Sequence, residues 1–558
     1  MSARTTTPKT AVGRSVPGMD PALAEDVGPF HARYRAEGHW DGARLGAMVE
    51  HHARLKPDAE AVVDFEGARR MTFGELDRVT NRFAHFLAAS GVEQGDIIAV
   101  QLPNWIETAV IAVGANKAGV AVNPMLTVYR AKELRYMLEL TRAKAIFTPV
   151  TYRGFSHRAL AADIARDIGH PLDAVAIEAP DSGPAGSAWL RSLERFPDHP
   201  VPRDPKPSSV TVILFTSGTE AAPKAIMHTE ETLNSNIRAV WRGFGMGDSE
   251  IVWMPSPVGH SSGFSYGIRI GLFHGAKIVL QDRWSPEEAV ALIERERPTY
   301  TLAATVFLTD ILREVRSRKV DLSSLRIFGC GGAPIPSHVV IEAAERGINC
   351  LRLYGQTEVV VATMNTPESP LKKRIDTDGA TVPGMTCDIR DDEGRPLPRG
   401  TEGELWVTGP GMSLGYYKDA ERTRTKFKRG WVQTGDIAVM DQDGYVAIVG
   451  RKSEIIIRGG MNITPREIED EITKLPGVIA VAVIGLPDDR LGEICCACVV
   501  EDGSGRVTLE AIVAALRATG MATYKLPQRL EFVPELPTTA SGKIQRHKLV
   551  AALAPATR

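Results

Sequence analysis

The chain has 558 residues, of which 43% are hydrophobic and 24% are charged, and its formal net charge is −2. This length predicts at least two domains, and the near-neutral balance argues against nucleic acid or an anionic membrane surface as a partner. No uncharged apolar run approaches the ~20 residues needed to cross a bilayer, so no integral membrane segment is predicted.

The N-terminus and the cysteines bear on where the protein works. Residues 1–30 lack an apolar signal core, which predicts a flexible N-terminal tail. Three of the six cysteines lie in the apolar run EICCACVV, which is typical of a buried strand. Because no second ligand cluster accompanies that run and no disulfide framework is implied, we expect a reducing, cytoplasmic location.

Residues 60–300 alternate between helical and strand-like patterns. The stretch MTFGELDRVTNRFAHFLAASG predicts a helix, with capping-box spacing between Thr72 and Glu75 and with Gly91 just past its end. Apolar runs such as DIIAVQLPN, TVILFTS and KIVLQD predict strands between such helices. The alternation predicts an α/β fold with parallel-type sheets, assigned to a large N-terminal region over residues 31–450.

The remaining chain has a different texture. Short strands separated by many Gly and Pro residues predict a β-rich subdomain at residues 380–445. Beyond it, a helix that begins at Pro465 lies among apolar strands. We therefore predict a small α+β C-terminal domain over residues 451–558.

One segment indicates a phosphate loop. In ILFTSGTEAAPKAIMH, an apolar strand is followed by Thr216, Ser217, Gly218, Thr219 and then Lys224. Hydroxyls, free backbone N–H groups and a glycine suit polyphosphate oxygens. The spacing is neither a Walker A loop nor a Rossmann fingerprint, and a plain polar turn is the alternative interpretation.

Four further segments recur in a definite order with that loop. They are LYGQTE at residues 353–358, QTGD at 433–436, GRKSEIIIRGG at 450–460 and PTTASGKIQR at 537–546. Each is weak alone, but together they resemble the adenylate-forming superfamily over residues 40–555. That superfamily includes acyl-CoA synthetases, peptide-synthetase adenylation domains and luciferases. Glu220, Ala221 and Ala225 depart from its usual loop pattern.

The resemblance implies an ATP-dependent acid–thiol ligase with ATP, Mg²⁺ and coenzyme A as cofactors and substrates. A carboxylic acid and MgATP would give acyl-AMP and pyrophosphate, and coenzyme A would then give acyl-CoA and AMP. The loop residues would grip the β- and γ-phosphates, with Glu358 and Thr216 at the metal. The remaining ATP- or AMP-binding residues implied are Gly331, Gly332, Ala333, Tyr354, Gly355, Gln356, Thr357, Asp436 and Arg451.

The resemblance also makes the C-terminal domain mobile. Lys543 would be the catalytic lysine of adenylation, and Ser453 stands at the hinge position, where relatives often carry Asp or Lys. After rotation, Gly459 and Gly460 would border the coenzyme A tunnel, with His260 as its gate. The sequence around Lys543 also resembles acetylated sites, so an acetyltransferase and a deacetylase are hypothesised partners.

The implied acyl pocket is apolar. It would be lined by Phe264, Thr305, Gly329, Val359 and Val360, without a lysine or arginine to hold a second carboxylate. The segments look most like medium-chain and cyclohexanecarboxylate-type CoA ligases, which implies a medium-chain, alicyclic or aromatic acid. Two alternatives stay open: an acyl-AMP ligase that loads a separate carrier-protein thiol, and a non-catalytic nucleotide-binding homologue. A homodimer also stays open.

Overall fold

The computed structural model describes residues 30–64, 69–179, 187–216, 223–316, 319–332, 335–488, 490–503, 505, 507–539 and 544–554. Its helices, in chain order, are Leu45–Leu55, Phe73–Ala89, Ile106–Ala118, Ala131–Thr141, His157–Asp167, Ala188–Ser192, Glu230–Gly243, Ser261–Gly263, Ile270–His274, Pro286–Glu296, Thr305–Glu314, Ser337–Glu345, Leu371–Asp376, Ala420–Lys426, Pro465–Ile472, Leu509–Ala518 and Arg546–Leu553. Short 3₁₀ turns lie at Leu193–Arg195, Lys452–Glu454 and Thr523–Lys525, and Phe264–Arg269 is π-helical.

The strands are numbered in chain order. They are β1 (Glu60–Asp64), β2 (Arg70–Thr72), β3 (Ile97–Val100), β4 (Ala121–Pro124), β5 (Ala145–Pro149), β6 (Thr151–Tyr152), β7 (Phe155–Ser156), β8 (Asp173–Ile177), β9 (Val210–Phe215), β10 (Ala225–Thr229), β11 (Ile251–Met254), β12 (Lys277–Leu280), β13 (Tyr300–Ala303), β14 (Ile327–Gly331), β15 (Asn349–Gln356), β16 (Val360–Met364), β17 (Ala380–Thr381), β18 (Thr386–Arg390), β19 (Glu402–Thr408), β20 (Phe427–Lys428), β21 (Trp431–Met440), β22 (Val446–Arg451), β23 (Ile456–Arg458), β24 (Met461–Ile463), β25 (Val478–Asp488), β26 (Gly492–Glu501) and β27 (Arg529–Phe532).

The described strands form two large mixed sheets, two five-stranded sheets and a two-stranded sheet of β6 and β7. The nine-stranded sheet has the order β17-β16-β15-β14-β13-β11-β12-β1-β2, and the six-stranded sheet has the order β10-β9-β4-β3-β5-β8. Their central pairs are parallel, as predicted, but the edge pairs β1–β2, β9–β10, β15–β16 and β16–β17 are antiparallel. The connection between β15 and β16 is short and can join neighbouring strands only as a hairpin, whereas β16 and β17 are joined by a longer segment that contains the helix Leu371–Asp376.

The β-rich and C-terminal parts each have a sheet of their own. Strands β18, β19, β21, β20 and β22 form an antiparallel sheet. Strands β24, β23, β26, β25 and β27 form a second sheet, in which β26 and β27 are parallel and the other pairs are antiparallel. Ile456, Ile468 and Val483 pack in a core separate from the one that contains Phe83 and Val432. The α/β class with a small α+β C-terminal unit is confirmed, while the domain boundaries stay predictions. No helix within the described ranges is long and apolar enough to cross a membrane.

Several local predictions are confirmed. The Thr72 hydroxyl accepts from the Glu75 backbone, and the Glu75 carboxylate accepts from the Thr72 backbone, which completes the capping box. Gly91 follows that helix with φ of 73°, and Pro465 is the first residue of its helix. The cysteine-rich run is the buried strand β26, and all six cysteines are buried thiols.

The connection to the C-terminal unit is held differently on its two sides. On the N-terminal side of Ser453, Lys452 pairs with Asp392 at 2.7 Å and with Glu404 at 3.5 Å. On the other side, Glu454 accepts from Arg546 at 2.9 Å. Ser453 therefore lies between one residue tied to the β-rich sheet and one tied to the C-terminal unit.

Candidate active site

The ends of the predicted phosphate loop are closed by a strand pair. Strands β9 and β10 are antiparallel, with Phe215 opposite Ala225. The Thr216 backbone N–H donates to the Lys224 carbonyl at 3.1 Å, and the Lys224 N–H faces the Thr216 hydroxyl at 3.4 Å. Both ends of the loop are thus fixed at one sheet edge, as the strand-then-loop pattern predicted.

Strand β10 also fixes the segment that carries the predicted metal ligand. His228 is fully buried, and its Nε2 donates to the Thr357 carbonyl at 2.7 Å. Its Nδ1 lies 3.1 Å from the Thr232 hydroxyl. Since a carbonyl only accepts, Nε2 carries the hydrogen and Nδ1 accepts. The motif positions a histidine here, but its partner 129 residues away was not predicted.

The buried His228 makes stability depend on pH. Burial lowers the pKa of His228 to about 4, whereas an unfolded histidine titrates near ~6.5. Between these two pKa values the unfolded chain binds a proton that the folded chain does not. The contribution of neutral His228 to stability is therefore complete above the unfolded pKa, and it is lost as the pH falls to the folded pKa. Within this range, each unit by which the pH is lowered reduces the free energy of unfolding by up to about 1.4 kcal/mol.

We expect the thermal midpoint of the wild type to fall more steeply than that of His228→Gln when the pH is lowered from about 7.5 to about 5.5. Gln keeps a donor near the Thr357 carbonyl but does not titrate. His199→Gln is the matched control, because His199 is exposed. Parallel pH profiles for the wild type and His228→Gln would contradict this explanation.

Glu358 is buried beside the ends of the loop. Its Oε1 accepts from the Tyr416 hydroxyl at 2.7 Å, and its backbone carbonyl accepts from Ser413 at 2.8 Å. The Lys224 ammonium lies 5.9 Å from the centroid of the Tyr416 ring. The structure thus brings the predicted carboxylate and the loop lysine together, and it adds Tyr416, which the motifs did not indicate.

Asp436 is the centre of a second group of hydrogen bonds. Its Oδ2 accepts from the Tyr354 hydroxyl at 2.6 Å and from Gln356 Nε2 at 2.6 Å, and its Oδ1 accepts from Arg451 Nε at 2.8 Å. Burial, followed by the charge of Asp436, raises the pKa of Tyr354 well above its ordinary value. Four predicted nucleotide-binding residues therefore meet at one carboxylate.

One cation was missed by the sequence interpretation. Lys426 ends the helix Ala420–Lys426, and its Nζ donates to the Thr434 carbonyl at 2.7 Å. Gln356 Nε2 donates to the same carbonyl at 2.9 Å. Lys426 belongs to no motif, and only the fold places it here.

Two predicted glycines are required by close approach of the backbone. A Cβ on Gly331 would lie 2.8 Å from the Leu353 carbonyl oxygen, and one on Gly355 would lie 1.9 Å from the Val360 oxygen. Gly332 has φ of 83°, a conformation that favours glycine. Packing between β14, β15 and β16 thus explains these residues whether or not they also contact a nucleotide.

The predicted acyl-pocket residues are mainly buried and apolar. Phe264, Val359 and Val360 are each less than 5% exposed. Val360 has φ of 52°, which is strained for a β-branched residue. Thr305 begins its helix and lies 3.6 Å from the Cys330 thiol, and a Cβ on Gly329 would lie 3.2 Å from Leu302 Cγ.

A polar clamp holds the strained segment. The Tyr266 hydroxyl donates to Asn236 Oδ1 at 2.5 Å, and the Val361 N–H donates to that hydroxyl at 3.1 Å. Asn236 Nδ2 donates to the Val361 carbonyl at 2.7 Å. Side chains thus replace a neighbouring strand, an arrangement that no local spacing could predict.

The other predicted residues that the structure describes are His260, Gly459 and Gly460. His260 Nδ1 lies 2.8 Å from the Ser262 hydroxyl, and burial lowers the pKa of His260. Gly459 and Gly460 form the tip of the β23–β24 hairpin with φ of 56° and 82°, as a type I′ turn requires. The described contacts of this tip run to Leu491. Ser217, Gly218, Thr219, Ala333 and Lys543 lie outside the described residues.

Comparison with known families agrees with this arrangement. A model of the AMP-binding enzyme family matches residues 49–417, and one of the AMP-binding enzyme C-terminal domain matches residues 467–543. The first match covers more than half of the chain. The chain therefore belongs to the AMP-binding enzyme family, which confirms the resemblance to adenylate-forming enzymes.

Within that family, the chain is an enzyme of the acyl-CoA ligase group. It is 35% identical over 520 residues to medium-chain fatty-acid–CoA ligase of Escherichia coli (strain K12), covering 93% of this chain and 92% of that ligase. It is 33% identical over 503 residues to feruloyl-CoA synthase of an Amycolatopsis species, covering 90% and 97%. ATP-bound MatB from Rhodopseudomonas palustris superposes with a TM-score of 0.81 at 27% identity, covering 92% and 99%.

Proposed function

We propose that this protein joins an apolar monocarboxylic acid to coenzyme A through an acyl-AMP intermediate. The acid is a medium-chain fatty, alicyclic or aromatic one. The observation that carries the proposal is the proximity of a ribose-type carboxylate at Asp436, a metal-type carboxylate at Glu358 and a loop lysine at Lys224. Membership of a family of ATP-dependent acyl- and aryl-CoA ligases supports it.

In the first half-reaction, the chain binds the two ends of ATP separately. Asp436 accepts from the ribose hydroxyls, and Arg451 orients that carboxylate through a hydrogen bond of 2.8 Å. Thr216 and Lys224 hold the phosphates as pyrophosphate departs. The oxygen of the substrate carboxylate attacks the α-phosphorus, the bond to pyrophosphate breaks, and Lys543 stabilises the added negative charge.

Magnesium enters this site as part of MgATP. Mg²⁺ is commonly held by one or two carboxylates together with substrate phosphates. Glu358 fits this role because it is a single buried carboxylate, and the described residues contain no cluster of three or more His, Cys, Asp or Glu that could hold a metal. The Tyr416 hydroxyl holds Oε1 of Glu358 at 2.7 Å. Glu358 and Thr216 are the residues that would hold the metal, which would neutralise charge on the phosphates.

In the second half-reaction, the C-terminal unit changes its orientation. Lys543 withdraws, and the Gly459–Gly460 turn comes to border the path of the pantetheine arm. The coenzyme A thiolate attacks the acyl carbon, the bond to the AMP oxygen breaks, and AMP leaves. Because the C-terminal unit can hold only one orientation at a time, the two half-reactions depend on different residues of that unit.

The apolar lining of the proposed acyl pocket restricts which acids can be substrates. Its described apolar residues bury the tail of the substrate. The polar atoms of Tyr266 and Asn236 are engaged in hydrogen bonds with each other and with the backbone of Val361. Arg269, the nearby cation, is occupied by Glu230 and by Asn234 at 2.8 Å. Among the described residues named here, none offers a cation to a second carboxylate on the substrate, which favours a neutral tail.

The experiment is pyrophosphate exchange with a panel of fatty, alicyclic and aromatic acids, followed by AMP release in the presence of coenzyme A. We expect exchange and coenzyme A-dependent AMP release with the same acids. Exchange without AMP release on adding coenzyme A would indicate a carrier-protein acceptor. The absence of exchange with every acid would indicate a non-catalytic homologue.

Glu358→Gln tests the metal assignment. The neutral amide is a weaker Mg²⁺ ligand, so we expect the Mg²⁺ concentration for half-maximal exchange to rise about tenfold or more, with a partial loss of rate at saturation. Glu368→Gln, at an exposed position ten residues further on, is the control. An unchanged Mg²⁺ dependence would remove Glu358 from the site.

A further inference from the structure

We infer that Lys426 binds the α-phosphate region of the nucleotide, an assignment that rests on the function proposed above. The position of its ammonium supports this role. Its Nζ is 2.7 Å from the Thr434 carbonyl, which also accepts from Gln356 Nε2 at 2.9 Å, and that same amide donates to Asp436 at 2.6 Å. Lys426 thus reaches the immediate surroundings of the ribose carboxylate.

The charges around Lys426 belong to both parts of the site. Burial lowers the pKa of Lys426, while Glu358 and Asp436 act in the opposite direction and Arg451 and Lys224 act in the same one. The ammonium therefore lies within electrostatic range of the metal-type carboxylate and of the ribose-type carboxylate together. A nucleotide that spans these two carboxylates has its α-phosphate between them.

The hydrogen-bonding capacity of Lys426 indicates an anionic partner. An ammonium has three hydrogens to donate, and within the described ranges Lys426 donates to the Thr434 carbonyl alone. A largely buried cation with a single neutral acceptor is costly unless an anion completes its shell. Phosphate oxygens supply both the charge and the acceptors.

A purely structural role explains less. The Thr434 carbonyl already has a donor in Gln356, and the Asp436 charge already has a partner in Arg451. A neutral residue at position 426 would satisfy the loop at a lower desolvation cost. The lysine is therefore accounted for by a ligand that is itself negative.

The test compares binding of ATP, AMP and adenosine to the full-length protein by titration calorimetry. Lys426→Met removes the charge with little change in length, Lys426→Arg keeps it, and Lys428→Met is the matched control. Lys428 lies two residues away, and its Nζ donates to Gln433 at 2.7 Å. We expect Lys426→Met to weaken ATP and AMP binding about tenfold or more, since a hydrogen bond to a charged group is lost.

Adenosine separates the two interpretations. We expect its affinity to be unchanged in Lys426→Met and the affinity for AMP to recover in Lys426→Arg. Equal losses for adenosine and ATP would show that Lys426 only supports the Thr434–Asp436 loop, and an unchanged affinity for all three would also overturn the inference. Failure of the wild type to bind ATP would instead contradict the proposed function.

Discussion

Lys543→Ala should abolish acyl-AMP formation and leave thioester formation from supplied acyl-AMP nearly intact. The ammonium is assigned to the charge that develops during adenylation, and the loss of one such donor lowers a rate by about 10²–10³-fold. In the proposed second half-reaction the C-terminal unit has its other orientation, in which we expect the lysine not to be needed. Pyrophosphate exchange measures the first step, and AMP release from synthetic acyl-AMP with coenzyme A measures the second.

Lys548→Ala is the matched control for this prediction. Lys548 is exposed on the helix Arg546–Leu553, five residues further along the chain. We expect wild-type rates in both half-reactions for this variant. A comparable loss in both half-reactions of Lys543→Ala would remove the lysine from its assigned role and make it a structural residue.

Asp436→Asn should impair the use of ATP and reduce discrimination against 2′-deoxy-ATP. An amide cannot accept from two ribose hydroxyls as a carboxylate does, and its NH₂ would face the donors of Tyr354, Gln356 or Arg451. Loss of a charged acceptor that leaves buried donors unsatisfied lowers kcat/KM for ATP by about 10²-fold. Steady-state kinetics with ATP and 2′-deoxy-ATP measure both effects.

The control for this substitution is Asp388→Asn. Asp388 lies on β18 of the same sheet and pairs only with the neighbouring Arg390 at 2.8 Å within the described residues. It should retain wild-type kinetics and thermal midpoint. Should Asp436→Asn keep full preference for ATP over 2′-deoxy-ATP, ribose binding by Asp436 would be refuted.

The fold was predictable where local patterns decide it. The capping box at Thr72 and Glu75 and the helix start at Pro465 depend on residues three or four apart, and both are confirmed. The antiparallel edges were not predicted, because the direction of a strand depends on where its partner lies. The requirement for glycine at position 355 could not be explained from the sequence. The carbonyl oxygen of Val360 excludes a side chain there, and this contact exists only because the two strands pair.

The residues of the candidate site were also predictable only in part. Glu358, Asp436 and Lys224 stand in motifs, and the structure places them close to shared neighbours. His228 is held by a carbonyl 129 residues away, and Lys426 is held by a carbonyl eight residues further along the chain, on β21. A lysine at the end of a helix is ordinarily a solvated residue, so the charges that surround Lys426 can be recognised only in three dimensions.

Lys452 is paired with the β-rich sheet region and Glu454 with the C-terminal unit, which bears on how that unit could rotate. Both ion pairs can survive a rotation about the single residue between them, because neither crosses that point. The hydrogen bond from Arg466 Nη1 to the Ile448 carbonyl, 2.6 Å long, does cross it and has to break. We propose that Ser453 is the pivot of this rotation and that the bond from Arg466 to Ile448 resists it. Arg466→Met should then shift the balance between the two orientations without removing a residue assigned to substrate binding.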